Sequence, residues 1–344
     1  MPDIQSLPLE WLGALFAASA LLIAFFGSKM ARIADVLADR TGLGEALIGA
    51  VLLGAGTSIS GIVTSVTTAA SGAPELAVSN ALGGIAAQTM FLALADIFYR
   101  KVNLEHAGAS TVNLGQATVL IILSAMPIMA YAAPDIAFFG VHPASPVMIL
   151  VYLVGLHNAH SIRQEPMWRP IKTDGLRLEE DDPEDDPRST ALLAASFAGL
   201  VLIVGGCGYV VGDTGLALSA QLGISQGVVG ALGTAVVTSL PELVTTIAAV
   251  RRGALQLAIG GIIGGNMFDA LFVSASDIAY RDGSIYHAIG ERSLFWMALV
   301  CIMTAILLLG LLRREKQGPG GIGWESVILL ALWLAAAVLQ VALG

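Results

Sequence analysis

Two acidic residues lie inside apolar stretches, and they offer the clearest chemistry in the sequence. Glu242 occurs in TAVVTSLPELVTT, and Asp269 occurs in ALQLAIGGIIGGNMFDALF. A carboxylate at membrane depth is costly, so it faces a bundle interior or a water-filled path and usually marks an ion or proton route. We therefore predict that Glu242 and Asp269 supply the charge of a cation site.

An alternative is that the two acids form a buried structural pair, satisfied by hydroxyl groups or by a nearby cation. The nearest arginines, Arg251 and Arg252, begin nine residues beyond Glu242. That separation is about 13 Å along a helix that rises 1.5 Å per residue. These arginines cannot neutralise Glu242 directly, which favours the functional interpretation.

Neutral oxygen donors accompany both acids. Asn266 lies three residues before Asp269 and shares its helix face. The hydroxyl pairs are Thr57 with Ser58 and Thr238 with Ser239. Hard cations such as Na⁺ and Ca²⁺ prefer oxygen ligands. Small and hydroxyl residues also serve close helix packing, and it is the presence of Glu242 that favours an ion site.

Both hydroxyl pairs occur beside residues that interrupt helices. Gly54 and Gly56 precede the first pair, and Pro241 follows the second. Glycine weakens a helix, and proline removes a backbone donor and clashes with the preceding turn. We predict that both segments are broken helices at the middle of the membrane.

The chain repeats itself at an interval of 181 residues. Thr57-Ser58 falls on Thr238-Ser239, and the gapless register runs from Leu37 to Arg100, ending with Asp96 on Asp277. The protein is therefore a duplicated unit. The pairs Asp96 with Arg100 and Asp277 with Arg281, four residues apart, are predicted to be helix-end ion pairs.

Composition places this unit in a membrane. The 344 residues are 56% hydrophobic and 12% charged, whereas about a quarter of residues are charged in soluble domains. Membrane-spanning helices need about 20 mostly apolar residues. Ten such segments are predicted, at residues 11–34, 43–70, 74–98, 114–132, 144–162, 190–217, 224–250, 254–280, 293–312 and 322–343.

The basic residues of the connecting segments fall on one side. When the connections are assigned alternately to two sides, one side receives all the loop Lys and Arg residues except Arg281 and Arg292. Because cytoplasmic loops carry the basic excess, both termini are predicted to face outward. The predicted units are a first five-helix repeat at 1–163, an acidic cytoplasmic linker at 164–188 and a second five-helix repeat at 189–344. Five is odd, so the repeats have inverted topology, which places substrate sites near the midplane.

Two inverted halves, each with a GTS-like motif and a glycine-rich following span, resemble the sodium/calcium exchanger family of the cation/calcium exchangers. The second copy matches the family motifs at Thr238, Ser239, Pro241 and Glu242, and then at Gly264, Asn266 and Asp269. The first copy departs from them, with Ser60-Gly61 for Pro-Glu and Gln88 for the closing Asn. The resemblance implies an all-α membrane fold of ten helices that alternates access to a midplane site. The implied metal ligands are Glu242, Asp269, Thr238, Ser239, Thr57, Ser58, Gln88 and Asn266.

The resemblance implies exchange of three Na⁺ for one Ca²⁺, but the charges at this site differ. Two carboxylates match one Ca²⁺, whereas three Na⁺ would leave an uncompensated positive charge in a low-dielectric site. We therefore predict a plasma (inner) membrane cation antiporter with altered stoichiometry.

Two alternatives stay open. The coupling ion is H⁺ if desolvation raises the proton affinity of a site carboxyl sufficiently, or the chain is a non-transporting protein that binds a cation, lipid or partner. No nucleotide loop, nucleophilic triad or nucleic-acid patch occurs in the sequence. We expect no enzyme activity and no cofactor, only transported Ca²⁺ with Na⁺ or H⁺ as bound species.

Overall fold

The chain folds into helices joined by short connections. A computed structural model describes residues 4–41, 47–99, 102–168, 170–171, 186–318 and 321–343, and among these the only extended pairing is an isolated bridge between Phe138 and Val141. The helices of the first half are α1 (Leu9–Leu22), α2 (Ser28–Thr41), α3 (Leu47–Ala70), α4 (Pro74–Ile97), α5 (Leu104–Gly108), α6 (Thr111–Ala132) and α7 (Ala144–Gln164). A π-helical turn, Ile23–Gly27, joins α1 to α2.

The second half repeats this pattern with more interruptions. Its helices are α8 (Thr190–Leu222), α9 (Gln226–Val228), α10 (Ala235–Thr238), α11 (Leu240–Arg252), α12 (Leu255–Asp269), α13 (Leu271–Ala279), α14 (Ile285–Ala288), α15 (Glu291–Arg313) and α16 (Trp324–Leu343). A second π-helical turn, Val229–Thr234, lies between α9 and α10.

Eight helical segments within the described residues are long and apolar enough to cross a membrane, and one bent pair of segments would make a ninth. The eight are Leu9–Leu37, Pro74–Ile97, Thr111–Ala132, Ala144–Gln164, Thr190–Leu222, Leu255–Ala279, Glu291–Arg313 and Trp324–Ala342. The bent pair is Gln226–Thr238 with Leu240–Arg252. Each corresponds to a predicted span. The remaining predicted span, 43–70, falls on α3 and on residues 42–46, which lie outside the described part, so the count of ten stays a prediction.

Helix α4 forms the centre of the bundle, since every residue from Leu76 to Ala93 is buried. A helix that is apolar on all sides is typical of such a central position. The interrupted segment of the second half approaches α4 closely: a Cβ built on Gly83 would collide with the backbone of Ala231. Glycine therefore lets the two backbones approach directly.

The structure bends the seventh predicted span but not the second. The axis turns by 47° between Thr238 and Leu240, next to Pro241. By contrast, α3 is one continuous helix of 24 residues, so the predicted break in the second span is wrong. The first copy has Gly61 and no proline at this point, and glycine alone does not remove a backbone donor.

Asp277 is fully buried and does not form the predicted helix-end pair with Arg281. Its carboxylate accepts hydrogen bonds from the backbone N–H of Ile285 at 3.0 Å, from the backbone N–H of His142 at 2.8 Å and from the Ser145 hydroxyl at 2.6 Å. These bonds join α13, α14 and the start of α7. Two backbone N–H groups and a serine hydroxyl therefore stabilise the Asp277 carboxylate in place of Arg281.

Asp96 makes the equivalent bonds in the first half. Its carboxylate accepts from the backbone N–H of Leu104 at 2.8 Å and from that of Gly323 at 2.8 Å. Arg100, its predicted partner, lies outside the described residues. The two acids are 181 residues apart (277 − 96). The same interval separates the donors Ile285 and Leu104 (285 − 104) and the donors Gly323 and His142 (323 − 142). The repeat therefore extends to the last helix of each half, beyond the register that the sequence revealed.

Candidate cation-binding site

Asp269 lies at the end of α12 and is held by side chains from the first half. Ser58 on α3 donates to Asp269 Oδ1 at 2.6 Å, and Gln88 on α4 donates to Oδ2 at 2.6 Å. Asp269 is only 3% exposed. A buried carboxyl is tolerated when its oxygens are hydrogen-bonded, and here both donors come from the other copy of the repeat.

Glu242 opens α11 immediately after the bend of the seventh span. Its side chain is 5% exposed, it hydrogen-bonds the Thr57 hydroxyl, and its Oε2 atom has no hydrogen-bond donor among the described residues. Because Thr57 and Ser58 are neighbours on α3, the carboxyls of Glu242 and Asp269 face the same turn of that helix. The two acids are therefore brought together.

Gln88 connects the central helix to the bend. Its Nε2 atom lies 3.3 Å from Ser239 Oγ as well as 2.6 Å from Asp269 Oδ2. Ser239 has φ −94° and ψ 5°, which is the interruption between α10 and α11. The amide nitrogen of Gln88 is thus used by protein groups, whereas its Oε1 atom has no donor in the described part of the chain.

Asn266 and Thr238 are placed differently from the other predicted ligands. Asn266 donates through Nδ2 to the Thr89 hydroxyl at 3.1 Å, and its Oδ1 atom has no donor among the described residues. The Thr238 hydroxyl donates to Ala235 O of its own helix at 3.2 Å, while Thr238 O accepts from Ser60 at 3.2 Å. The oxygen of Asn266 is therefore available for a ligand, and Thr238 is engaged within the backbone of the bend.

Three buried acceptors in this region share one property. Within the part of the chain that the structure describes, Glu242 Oε2, Gln88 Oε1 and Asn266 Oδ1 have no hydrogen-bond partner. A buried acceptor left without a donor costs about 1–3 kcal/mol. Carboxylate and amide oxygens are the ligands that hard cations take. The arrangement can therefore bind a cation chemically, with two carboxyls for charge and amide and hydroxyl oxygens to complete the coordination.

Within the described part of the chain, no group of three or more His, Cys, Asp or Glu residues is close enough to hold a metal ion. Only two of the site groups are acidic, and the other donors are amide and hydroxyl oxygens. Soft or borderline metals prefer Cys and His, whereas oxygen donors of this kind suit a hard cation.

A second polar network lies beside the site and was not predicted from the sequence. Asn80 on α4 accepts from Thr234 at 2.7 Å and donates to Ser65 Oγ at 2.9 Å and to Gly61 O at 3.2 Å. All its polar atoms are used. Asn80 is 1% exposed, and the sequence signal that could have found it is an asparagine inside an apolar segment.

The position that matches Glu242 in the first copy is closed by an aromatic ring. A Cβ built on Gly61 would lie 2.7 Å from Phe272 Cε2 and 3.3 Å from its Cζ. Glu242 minus 181 is Gly61. The ring of Phe272 therefore occupies the space where a first-copy glutamate would begin.

Comparison with known proteins places this chain among cation exchangers. The family model described as "Sodium/calcium exchanger protein" matches residues 11–156 and 191–342, which cover both halves of the repeat. Among curated proteins, the inner membrane protein YrbG of Escherichia coli (strain K12) is 26% identical over 324 residues, or 94% of this chain and 95% of that protein.

Two solved structures share the fold over nearly the whole chain. The sodium-calcium exchanger NCX_Mj superimposes with a TM-score of 0.59 at 21% identity, covering 95% of this chain and 98% of that one. The H⁺/Ca²⁺ exchanger CAX superimposes with a TM-score of 0.66 at 14% identity, covering 96% and 86%. At these identities the likeness shows the fold alone.

Proposed function

The chain belongs to the sodium/calcium exchanger family, and from this premise we propose that it exchanges Ca²⁺ for a monovalent cation by alternating access. Members of the family are secondary transporters, not enzymes, and the chain is a multi-pass membrane protein. Its partners in this reaction are inorganic cations and the surrounding lipid bilayer.

One observation carries the proposal: two buried carboxyls and two buried amides lie in this region, and three of their oxygen acceptors have no donor among the described residues. Glu242 and Asp269 supply the charge, and the acceptors are Glu242 Oε2, Gln88 Oε1 and Asn266 Oδ1. A bound cation would satisfy these oxygens together. On this proposal the hydroxyls of Thr57, Ser58 and Ser239 complete the coordination, whereas Thr238 contributes through its place in the bend.

We propose that the chain lies in a plasma (inner) membrane and crosses it ten times, in two inverted repeats of five spans. Both termini then lie on the extracytoplasmic side. The count adds α3 and the bent pair to the eight continuous segments. The Lys and Arg bias of the connections supports the orientation. The cross-repeat contacts of Ser58 with Asp269 and of Gln88 with Ser239 support a site on the axis between the repeats.

The proposed stoichiometry differs from three Na⁺ for one Ca²⁺. Gly61 and Gln88 are neutral where the second copy has Glu242 and Asp269, so the site holds two negative charges at most. One Ca²⁺ or two monovalent cations balance that charge, whereas a third Na⁺ would be uncompensated. The exchange is then electroneutral when two monovalent cations move against one Ca²⁺.

The coupling ion is tested by flux in proteoliposomes. We would measure Ca²⁺ uptake while imposing Na⁺, K⁺ and pH gradients in turn at a clamped membrane potential. Uptake driven by outward Na⁺ supports Na⁺ coupling, and uptake driven by pH without Na⁺ assigns H⁺ instead. Absence of uptake under every gradient, with Ca²⁺ binding retained, would replace the exchanger with a non-transporting cation-binding protein.

A further inference from the structure

A third group of carboxyls is buried far from the cation site, at the end of the bundle that we place in the cytoplasm. Glu105 on α5 is 3% exposed, Asp96 at the end of α4 is fully buried, and Glu325 at the start of α16 is 6% exposed. Among the described ion pairs, none involves any of these three acids. Three buried acids without a cation cannot all be ionised at low cost.

Two glycines make room for the pair Glu105 and Glu325. A Cβ built on Gly323 would lie 2.7 Å from Glu105 Oε2 and 3.4 Å from Glu325 Oε2, and one on Gly310 would lie 2.6 Å from Glu325 Cγ and 3.1 Å from Glu105 Cγ. Both side chains therefore pack between the same two backbone segments. The Oε2 atom of Glu105 has no hydrogen-bond partner among the residues that the structure describes.

The equivalent cluster around Asp277 shows how such a group of side chains is hydrogen-bonded. There Ser145 donates to Asp277 at 2.6 Å, and the hydroxyl of Tyr286 lies 2.9 Å from Ser145 Oγ. The three groups form a complete chain, in which Tyr286 donates to Ser145 and Ser145 donates to Asp277. Each oxygen in that chain has a proton to accept or to give.

The equivalent residues in the cluster around Glu105 are Asp96, Ser326 and Glu105. Each differs by 181 from its counterpart (277 − 96, 326 − 145, 286 − 105). Ser326 Oγ lies 2.9 Å from Glu105 Oε1 and also hydrogen-bonds Asp96. A serine hydroxyl has one proton and cannot donate to two carboxylates at once. Asp96 already accepts a backbone N–H on each of its two oxygens, which favours its ionised form. The chain is therefore complete when Glu105 carries the proton that the phenol of Tyr286 carries in the equivalent cluster.

We propose that Glu105 is a proton-binding site that fastens α5 to the start of α16, and that loss of this proton in an alkaline cytoplasm opens the contact. The proton lies on the Glu105 carboxyl, which donates to Ser326, and Ser326 donates to Asp96. Ionised Glu105 would instead face the charges of Asp96 and Glu325. The closed state is therefore the protonated one.

The electrostatic surroundings agree with this geometry. Burial, together with the nearby charges of Asp96 and Glu325, raises the pKa of Glu105 to about 7. Among the described residues, further charged residues lie beside α5 after the end of α15. Arg314 directs its guanidinium to the carbonyls of His106 and Ile171, and the backbone carbonyls of Glu315 and Lys316 accept hydrogen bonds from Asn103. His106 Nδ1 faces Arg314 O. Helix α12 also packs against α5, and the acid on that helix, Asp269, lies at its far end.

The contact lies where it can influence the cation site. Asp96 follows Gln88 by eight residues on α4. A Cβ built on Gly108 of α5 would lie 3.0 Å from Ile259 Cγ1 and 3.1 Å from Leu255 O of α12, the helix that ends in Asp269. Opening at Glu105 therefore loosens the ends of both helices that meet at the site.

Hydrogen exchange tests the proposal on the full chain in lipid nanodiscs, without Na⁺ or Ca²⁺. The backbone amides of Leu104 and Gly323 bond to Asp96, and those of Ile285 and His142 bond to Asp277. The second pair is an internal control, since the ratio of protection between the pairs cancels the intrinsic pH dependence of exchange. Between about pH 4.3, the pKa of a free glutamate, and about pH 7, the pKa of the buried Glu105 carboxyl, we expect that ratio to fall by about tenfold per pH unit and to level off above this range, as a one-proton linkage requires.

Two variants separate this proposal from general loosening. Glu105→Gln retains a donor for Ser326 and cannot ionise, so its protection ratio should not vary between about pH 4.5 and about pH 8. Glu325→Gln removes a like charge, so the pH at which the ratio levels off should be lower than in the wild-type chain. An unchanged ratio in the wild-type chain, an equal fall in Glu105→Gln, or a change that needs added Ca²⁺ would overturn the proposal. If Glu105→Gln does not fold, the wild-type titration and the Glu325→Gln shift still decide it.

Discussion

Gln88 donates a hydrogen bond to Asp269 at 2.6 Å, across 181 residues of sequence, so these two residues occupy the same position in the duplicated unit. Ser58 contacts Asp269 and Ser239 contacts Gln88, and these two serines are again 181 apart (239 − 58). The repeats therefore meet through equivalent residues. One copy supplies an acid there, and the other supplies an amide.

Neutralising either site acid should remove Ca²⁺-dependent exchange. Glu242→Gln and Asp269→Asn each leave one negative charge against a divalent cation. Charged interactions of this kind are worth about 1.5–3 kcal/mol, so we expect a loss of tenfold or more at 1.4 kcal/mol per factor of ten. Initial Ca²⁺ uptake in proteoliposomes measures it, with Glu10→Gln as an exposed control. Full transport in both site variants would make these acids structural.

The site acids could be predicted from the sequence because each is an isolated charge in an apolar segment. The duplicated register and the bend at Pro241 were equally visible, since proline acts locally. The continuity of α3 was not predicted, because glycine permits a break without requiring one. The bonds of Asp277 to His142 and Ile285 could not be predicted either, since the backbone donors on different helices meet only after folding.

Exchanging the residue types at positions 88 and 269 should restore part of the Ca²⁺ uptake that is lost when Asp269 alone is replaced. Asp269→Gln alone leaves Glu242 as the single site acid. The double variant Gln88→Asp, Asp269→Gln returns the charge to the equivalent position, where Ser239 takes the place of Ser58. We expect its Ca²⁺ uptake to exceed that of Asp269→Gln by severalfold, with Gln88→Asp alone measured alongside. Equal activities in the double and single variants would mean that the two positions are not interchangeable.

The pH dependence of stability should contain a contribution from Glu105. Its pKa is about 7 in the folded chain, against about 4.3 in model peptides. The folded state holds the proton more tightly, so the contribution is full below about pH 4.5, declines as the pH rises, and is lost above about 7. One pKa unit corresponds to about 1.4 kcal/mol, so the total is on the order of 3 kcal/mol. Thermal unfolding at successive pH values should show the wild-type chain losing stability relative to Glu105→Gln across that range and no further loss above it.

The orientation of the chain can be tested by labelling from one side. Asp181 and Gly344 lie outside the described residues, and the free cysteines Cys207 and Cys301 would first be replaced by alanine. We expect an impermeant maleimide to label Gly344→Cys in intact cells and Asp181→Cys only after permeabilisation. Labelling of both positions from the same side would contradict the inverted repeat.

The last prediction concerns Gly61, where the first copy lacks the acid that Glu242 supplies in the second. A carboxylate added at this position could raise cation affinity if the backbone tolerated a side chain. The 2.7 Å approach of a built Cβ to Phe272 argues for the opposite result, because real Cβ atoms do not come so close to a buried ring. Overpacking of a core typically costs about 1–3 kcal/mol, so Gly61→Ala and more strongly Gly61→Glu should lower the unfolding temperature.

A double-mutant cycle tests whether Phe272 is the cause. Phe272→Leu shortens the opposing side chain, so Gly61→Ala should cost less in that background than in the wild-type chain. The matched control is Gly84→Ala, because a Cβ there would lie 3.5 Å from Ser239 Oγ, an ordinary contact. If Gly61→Glu folds with unchanged stability and its Ca²⁺ transport becomes dependent on membrane potential, the ring yields to the side chain. In that case the missing glutamate, and not packing against Phe272, limits the charge that this site can hold.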